Sequence, residues 1–362
     1  MRTMRRVLTF VVAAVMMVAP AFVLPGVARA QDEIRIAYVM HGLNDFTQVI
    51  KRGAEAAGED LGVTVDVFGQ AGFDIPTHQA FFETAIGGDY DGIVVIPNGG
   101  DPWNSLIEQA TEAEIPLASA NNTALNSPLD VWVGMDEFTS GVFLGDEMKT
   151  VFEAKGVTGG QIVVGICAPG NPVLVSRYEG FVSSLAGTDF EVGEPQDVQL
   201  SNEENYARWE NLSTANPDAV AMVGLCSLDI PNIAQLKERS GAEWSVGGYD
   251  IEVPTLQAIE AGFADVSVGQ QPFLQGYLPV RILVEEIQNG TNISGWFECP
   301  PDVVTAANVA DYVSRESDPA VEYESYTTYM AENFPDLTQP SRPYSDLQAA
   351  AGGASGEATP ES

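Results

Sequence analysis

Residues 34–62, IRIAYVMHGLNDFTQVIKRGAEAAGEDLG, constrain the fold more than any other part of the chain. Ile34 to Met40 is almost wholly apolar, too short for a buried helix and rich in strand formers, so it reads as a strand covered on both faces. From Phe46 the period changes: Val49, Ile50, Ala54, Ala57 and Leu61 recur at helical spacing, and Gly62 closes the pattern. Between the two lies HGLND, at the carboxyl end of the strand, where open α/β sheets receive ligands.

The unit repeats. Strand-like runs recur at 63–68, 92–97, 115–120 and 131–135, with helical patterns around 76–86, 103–113 and 138–152. A second series starts at 161–167 and continues at 190–200, 219–225, 244–249 and 266–270, again separated by helical stretches and followed by a long one at 273–288. Strands alternating with helices specify right-handed βαβ units. Two such sets predict an α/β fold of two similar doubly wound parallel-sheet lobes, which 362 residues suffice to build. The break falls near MDEFTSG, residues 135–141. After Arg315 the pattern fails. Residues 316–362 are rich in Pro, Gly and acids, which predicts a largely disordered tail, although Tyr323, Tyr326 and Tyr329 at spacing three would suit a short helix packed onto a lobe.

Charge narrows the function. The chain carries 51 Asp and Glu against 16 Lys and Arg, and four of those basic residues fall in the first 30 positions. Nucleic acid is therefore not an expected partner, because phosphate contacts need a basic face. The amino end reads as an export signal: Arg2, Arg5 and Arg6, an apolar run at 7–18, and Ala28-Arg29-Ala30 as a cleavage site. Cleavage after Ala30 would leave a soluble protein in the periplasm or at the cell-envelope exterior. No cysteine follows the apolar run, so no lipid anchor is expected there, and three cysteines, Cys167, Cys226 and Cys299, lie in a compartment that permits disulfides.

The residues just past each strand share a chemistry. They include Asn44, Asp45 and Phe46, then Asn98, then Asn121-Asn122 in the first series. In the second they include Asn171 leading to Arg177, Ser201-Asn202, Cys226, Tyr249-Asp250 and Gln270. Asn and Asp at strand ends commonly serve as caps or turns. Their recurrence at one end of both sheets, with aromatic rings beside them, instead suits a neutral polyhydroxylated ligand whose ring lies on an aromatic face.

Catalysis is poorly served. The chain has two histidines, His41 and His78, with no metal-ligand spacing and no Cys-x-x-Cys. No nucleophile elbow, Walker A or dinucleotide fingerprint occurs in a strand–turn–helix context, so no enzyme activity, metal or cofactor is expected.

The chain resembles the ribose/galactose-type periplasmic sugar-binding proteins of ABC transporters over nearly all of residues 34–311. The motifs that carry the resemblance are NDFTQVIKRGAEAAGEDLG, YDGIVVIPNGGD, EIPLASANN, SRYEGF, VGGYD and VSVGQQP, in the family's order. It implies a type I periplasmic binding fold, a monomer whose two lobes close on a monosaccharide or related polyol and deliver it to a membrane permease. It also implies that ligand contacts fall on Asn44, Phe46, Asn98, Asn121, Asn122, Arg177, Ser201 or Asn202, Cys226, Tyr249, Asp250 and Gln270. The chain departs from the family at Thr47, where relatives often hold a second aromatic, at the uncharged Asn121-Asn122 pair, and at Cys226 in place of an asparagine. By the same resemblance three crossings form the hinge, with lobe one at 31–135 plus 271–296 and lobe two at 136–270 plus 297–315. In that order Cys167 and Cys226 end neighbouring strands, and a disulfide between them is feasible.

Overall fold

The computed structural model describes residues 33–347. The expected export signal and the end of the tail lie outside the described residues.

The first lobe begins with β1 (Arg35–Val39), α1 (Asp45–Leu61), β2 (Thr64–Phe68), α2 (Ile75–Ile86) and β3 (Gly92–Val95), then α3 (Asn104–Glu112), β4 (Leu117–Ala120) and β5 (Val131–Gly134). Successive residues of β1 point to opposite faces. Ile36 and Tyr38 join the apolar cluster on one side of the sheet, Ala37 and Val39 the cluster on the other. That two-sided burial is why the strand reads as a continuous apolar run rather than an alternating one.

The second lobe comprises α4 (Glu137–Lys155), β6 (Gly160–Ile166), α5 (Pro172–Leu185), β7 (Phe190–Val192), β8 (Gln196–Asp197) and α6 (Asn202–Ala215). It continues with β9 (Ala221–Gly224), α7 (Asp229–Ser240), β10 (Ser245–Tyr249), α8 (Val253–Glu260) and β11 (Val266–Gly269). The chain then returns with α9 (Pro272–Asn289) and β12 (Gly295–Glu298), which join the first lobe, and crosses again to β13 (Asp302–Thr305) and α10 (Val309–Ser317). The sheets run β12-β5-β4-β3-β1-β2 and β13-β11-β10-β9-β6-β7, with β8 pairing on β6. Stripped of the exchanged β12 and β13, both have the same parallel order, the flavodoxin-like one, and only β13 is antiparallel to its neighbour.

Three crossings thus link the sheets, at residues 135–136, 270–271 and 299–301. The last two are tied together, since Gln271 Nε2 donates to the Pro300 carbonyl at 2.7 Å. Each lobe also contains one helix pair in which glycines let backbones meet. A Cβ on Gly276 of α9 would lie 1.9 Å from the Ile50 carbonyl oxygen of α1, and one on Gly180 of α5 would lie 2.0 Å from the Phe138 carbonyl oxygen of α4. These two pairs carry their amino ends to the space between the lobes.

The tail departs from expectation. Residues 319–333 form α11 (Pro319–Asn333), capped by Asp318, whose side chain accepts from Ala320 N at 2.9 Å. Tyr326 stacks on Phe273 of lobe one with ring centroids 5.1 Å apart, and Met330, Phe334 and Leu337 are buried beside it. Of the three tyrosines at spacing three only Tyr326 is fully buried; Tyr329 is half-buried and Tyr323 exposed. Glu322, 2 % exposed, receives Arg52 Nε and Nη2 at 2.9 and 2.7 Å. From Phe334 the chain runs back to the hinge. Arg342 exchanges two backbone hydrogen bonds with Trp296, covering the edge of β12, and its guanidinium reaches Glu298 and Asp136. The acidic and Pro-rich average of residues 316–347 conceals a sparse apolar face that is enough to dock one helix.

Candidate ligand-binding site between the lobes

A cavity of about 610 Å3, mouth included, lies where the carboxyl ends of both sheets face each other. Of the residues expected there, Asn44, Phe46, Asn98, Asn121, Asn122, Arg177, Cys226, Asp250 and Gln270 all line it. The lobes meet directly across it, for Asn171 Nδ2 donates to Asn98 Oδ1 at 2.7 Å.

Two expected residues sit elsewhere. Asn202 lines an adjoining outer groove that shares Asn44, Phe46, Ser227 and Leu228 with the cavity; its Oδ1 accepts from Asn232 Nδ2 at 3.1 Å, and Leu200 lines the cavity itself. Tyr249 lies behind the wall with its ring under the Arg177 guanidinium, 4.2 Å from carbon Cζ to centroid, and its hydroxyl on Ser140 Oγ at 3.0 Å. It supports Arg177 rather than facing the cavity.

Arg177 is the hub. Its Nε meets Glu137 Oε2 at 2.6 Å, Nη2 meets Glu137 Oε1 at 3.3 Å and Gln270 Oε1 at 3.0 Å, and Nη1 meets the Leu225 carbonyl at 3.1 Å. Of five guanidinium N–H groups these bonds use four, leaving one on Nη1. Burial works against the arginine charge, but the Glu137 carboxylate holds its pKa above the ordinary value. Gln270 passes the network on: its Nε2 donates to Asp250 Oδ1 at 2.6 Å and its Oε1 accepts from Asn121 Nδ2 at 2.9 Å. Asn121 also donates to Gln275 Oε1 at 3.0 Å, and its own Oδ1 accepts from Asn122 Nδ2 at 2.7 Å. Burial raises the Asp250 pKa, with Arg177 and Gln270 pulling it back.

The backbone is bent to suit. Asn121, Asp250 and Gln271 have φ of 59°, 72° and 54°. Non-glycine residues rarely adopt this left-handed region, and it concentrates at functional sites. Asn and Asp adopt it at the least cost, which explains their identity at two of the three positions.

What remains is a set of uncommitted polar atoms around one space. Asn44 Oδ1 caps α1 by accepting from Thr47 N at 2.9 Å, so its Nδ2 is what it can offer the cavity. Asn122 Oδ1 and His41 Nδ1 are buried without a partner. With one Arg177 N–H and Asp250 Oδ2, the wall presents both donors and acceptors. Its apolar parts are Phe46, Phe73, Val173 and Leu174, and Phe73 packs on His41 with ring centroids 5.2 Å apart. The floor is a disulfide, Cys167–Cys226, joining the ends of adjacent β6 and β9. Cys299 is a buried free thiol, its pKa pushed up by burial.

His41 is pulled down to about 3, by burial first and by His78 second, so it is neutral at any ordinary pH. Among the described residues no group of three or more His, Cys, Asp or Glu is placed to hold a metal ion.

Several residues in this arrangement escape sequence reading. Glu137 meets Arg177 only because the glycine contact lets α4 and α5 cross closely. Gln275 comes from the first turn of α9, and Phe73 from the loop between β2 and α2, which has none of the asparagines that follow β1, β3 and β4. Asn171 does stand in the loop that leads to Arg177, and its spacing to Val173 marks it as a cap; the structure has it accept from Val173 N at 3.0 Å while its amide crosses the cleft.

Known proteins share this architecture. Residues 36–291 match the family model described as periplasmic binding protein domain. The xylose/arabinose-binding protein XylF of Sulfolobus acidocaldarius is 24% identical over 245 residues, 66% of this chain and 53% of that protein, so the chain spans about half of that relative's length. The ribose import binding protein RbsB of Salmonella typhimurium is 22% identical over 247 residues, covering 68% of this chain and 82% of RbsB. Among solved structures, a carbohydrate transporter solute-binding protein of Agrobacterium radiobacter in complex with D-arabinose superposes with a TM-score of 0.73 at 21% identity, covering 81% of this chain and 99% of that one. The glucose-galactose binding protein GanP of Geobacillus stearothermophilus gives 0.70 at 19% identity over 77% and 99%. No helix among the described residues is long and apolar enough to cross a membrane. With the family model spanning most of the chain and both lobes built to its pattern, the protein belongs to the periplasmic binding protein domain family.

Proposed function

We propose that this protein is an exported solute-binding protein that encloses a monosaccharide or related polyol between its lobes and delivers it to an ABC transporter permease. One observation carries the ligand class. The cavity's only arginine is already paired with a buried carboxylate, Glu137, at 2.6 Å, while Asp250 has no cation of its own. An anionic ligand, such as a phosphate or a dicarboxylate, would therefore meet a surplus of negative charge. A neutral ligand rich in hydroxyls would instead use the remaining N–H of Arg177, the Asp250 carboxylate and the Asn44, Asn98 and Asn122 amides, each hydroxyl both giving and accepting. Phe46 and Phe73 supply apolar faces for a ring. The relatives named for xylose, arabinose and ribose belong to the same ligand class.

Opening at the three crossings admits the ligand, and closure shuts it away from water. Ligand shifts the lobe equilibrium only through its better affinity for the closed state, which then offers the permease a joint surface from both lobes. The protein acts as a monomer in the periplasm or at the envelope exterior, after cleavage near Ala30, and catalyses nothing. Capture by a permease rather than by a sensor-kinase ectodomain in a pull-down separates transport from sensing.

A thermal-shift panel tests the class. D-Ribose, D-xylose, L-arabinose, D-galactose, myo-inositol and sugar alcohols stand beside amino acids and sulfate as controls. A ligand at a thousandfold excess over its Kd adds about 4 kcal/mol of stability, a shift of several degrees. The expected result is a shift with at least one carbohydrate or polyol and none with the controls. A shift with an amino acid alone contradicts the assignment.

A further inference from the structure

A second cavity opens beside the first, about 770 Å3 with its mouth included, and its surface is the more apolar of the two. Leu125, Trp132, Met135 and Trp296 form the lobe-one wall, and Phe138, Val173 and Val175 the lobe-two wall. The Trp132 and Trp296 rings pack 5.0 Å apart. Polar groups also line it: Asn121 and Thr123 from lobe one, Asp136 and Glu137 at the first crossing, and Ser176 and Glu179 on α5.

The two cavities lie on adjacent faces of one helix. Along α5, Val173, Leu174 and Arg177 face the polar cavity, whereas Pro172, Val175, Ser176 and Glu179, at spacings of three and four, face the apolar one. Val173 and Asn121 belong to both linings and form the sill between them. Asn121 comes from lobe one and Val173 from lobe two, so the sill parts when the lobes open and closes over whatever lies across it. The C-terminal segment completes the wall: Leu347 lines the cavity, while Tyr344 bonds Thr123 Oγ1 at 2.9 Å.

Resting on the sugar reading above, we infer that this side cavity is a subsite for an apolar substituent of the same ligand, an aryl or alkyl group attached to the hydroxylated ring. A ligand that is polar at one end and apolar at the other matches the two chemistries that meet at the sill. Most of the surface that the cavity exposes is apolar, from the tryptophan, methionine, phenylalanine and valine side chains, which suits an apolar group better than a second sugar. The glycan-like end is held by the network around Arg177, and the substituent is buried by the same closure.

The test is calorimetric titration of the intact mature protein with free D-xylose, L-arabinose, D-ribose and D-galactose. Each is compared with its phenyl glycoside and with a benzyl ether at its terminal carbon. Burial of a phenyl ring should tighten binding about tenfold or more for one of the two substituted forms. Val175→Trp or Ser176→Phe, which fill the side cavity from α5, should abolish that gain and leave the free sugar's Kd within about threefold, given an unchanged far-UV spectrum. Free sugar binding with neither substituted form tighter overturns the inference and leaves the sugar reading intact. A gain that survives both filling variants also overturns it. A gain seen only after removal of residues 348–362 overturns it in favour of the chain's own end as the occupant. If no carbohydrate binds in any form, the sugar reading itself fails and this inference with it.

Discussion

At the scale of single residues the molecule turns on Arg177. Its guanidinium, 2 % exposed, is bound edge-on to Glu137 and lies over the Tyr249 ring, so its position is fixed before any ligand arrives. Arg177→Ala would strand the Glu137 carboxylate in the interior, and loss of one partner of a buried pair costs about 3–5 kcal/mol. Urea unfolding without ligand should show that loss. Replacing both members, Glu137→Met with Arg177→Met, should recover most of it while ligand binding stays absent. A single variant within about 1 kcal/mol of wild type would remove Arg177 from the centre of the account. Asp250 was expected because it follows a strand end and Arg177 because it stands in the SRYEGF motif of the resemblance, and both line the cavity. Glu137 was not, since a carboxylate 40 residues distant meets the arginine only through tertiary packing. Asn202 lies in the adjoining groove for the complementary reason: a neighbour such as Asn232 can hold a strand-end amide outside the cavity.

At the scale of elements, the site is as precise as the helices that carry it. In α4–α5 the glycines stand at the crossing, and a Cβ on Gly141 would lie 2.1 Å from the Arg177 carbonyl oxygen itself. Gly180→Ala should therefore push α5 off α4, destabilise lobe two by about 1–3 kcal/mol and weaken ligand affinity more than a distant change of equal cost. Gly276→Ala, which forces apart α1 and α9, is the counterpart in lobe one: α1 brings Asn44 and Phe46 and α9 brings Gln275, none of which bonds Arg177 itself. Equal affinity losses per kcal/mol of destabilisation in the two variants would show that α5 has no special hold on the site. The alternation of apolar runs and helical periods revealed these elements, since a strand buried on both faces and an amphipathic helix leave different patterns. The docked helix α11 left a weaker one. Its buried face is little more than Tyr326 and Met330, with Glu322 held by Arg52, so composition pointed to disorder while a few contacts hold it on lobe one.

At the scale of the whole molecule, charge and closure govern behaviour. The chain has a formal net charge of −35, and several of its acids are buried. Asp229 is pushed up to about 6 by burial, despite donors from Asn205, Trp209 and the Cys226 backbone. The folded chain thus holds a proton there between pH about 4 and 6 that the unfolded chain has released, and Asp229 favours folding more as pH falls through that window. His41 acts in the opposite sense. Its pKa of about 3 in the fold means that the unfolded state alone takes up a proton below about 6.5, so stability is lost on acidification. The two contributions offset each other between pH about 4 and 6. His41→Asn should unmask the acid: relative to wild type, its unfolding free energy should rise on acidification from pH 6 to 4, by at most about 1.4 kcal/mol per pH unit. Parallel curves for the two proteins would place His41 in a solvated setting instead. The two-lobed frame was readable from the doubled series of strands. The exchange of α9 and β12 between lobes was not readable from periodicity, because the chain's return to an earlier sheet leaves no mark in local sequence. The central claim is that closing lobes exchange their uncommitted polar atoms for the hydroxyls of one neutral ligand. Calorimetric titration of a pentose, hexose, polyol and amino-acid panel into wild type, Arg177→Ala and Asp250→Ala tests it most directly. The account predicts a one-to-one isotherm with a carbohydrate or polyol in wild type and none in either variant; saturable binding by an amino acid, or carbohydrate binding unchanged in both variants, would contradict it.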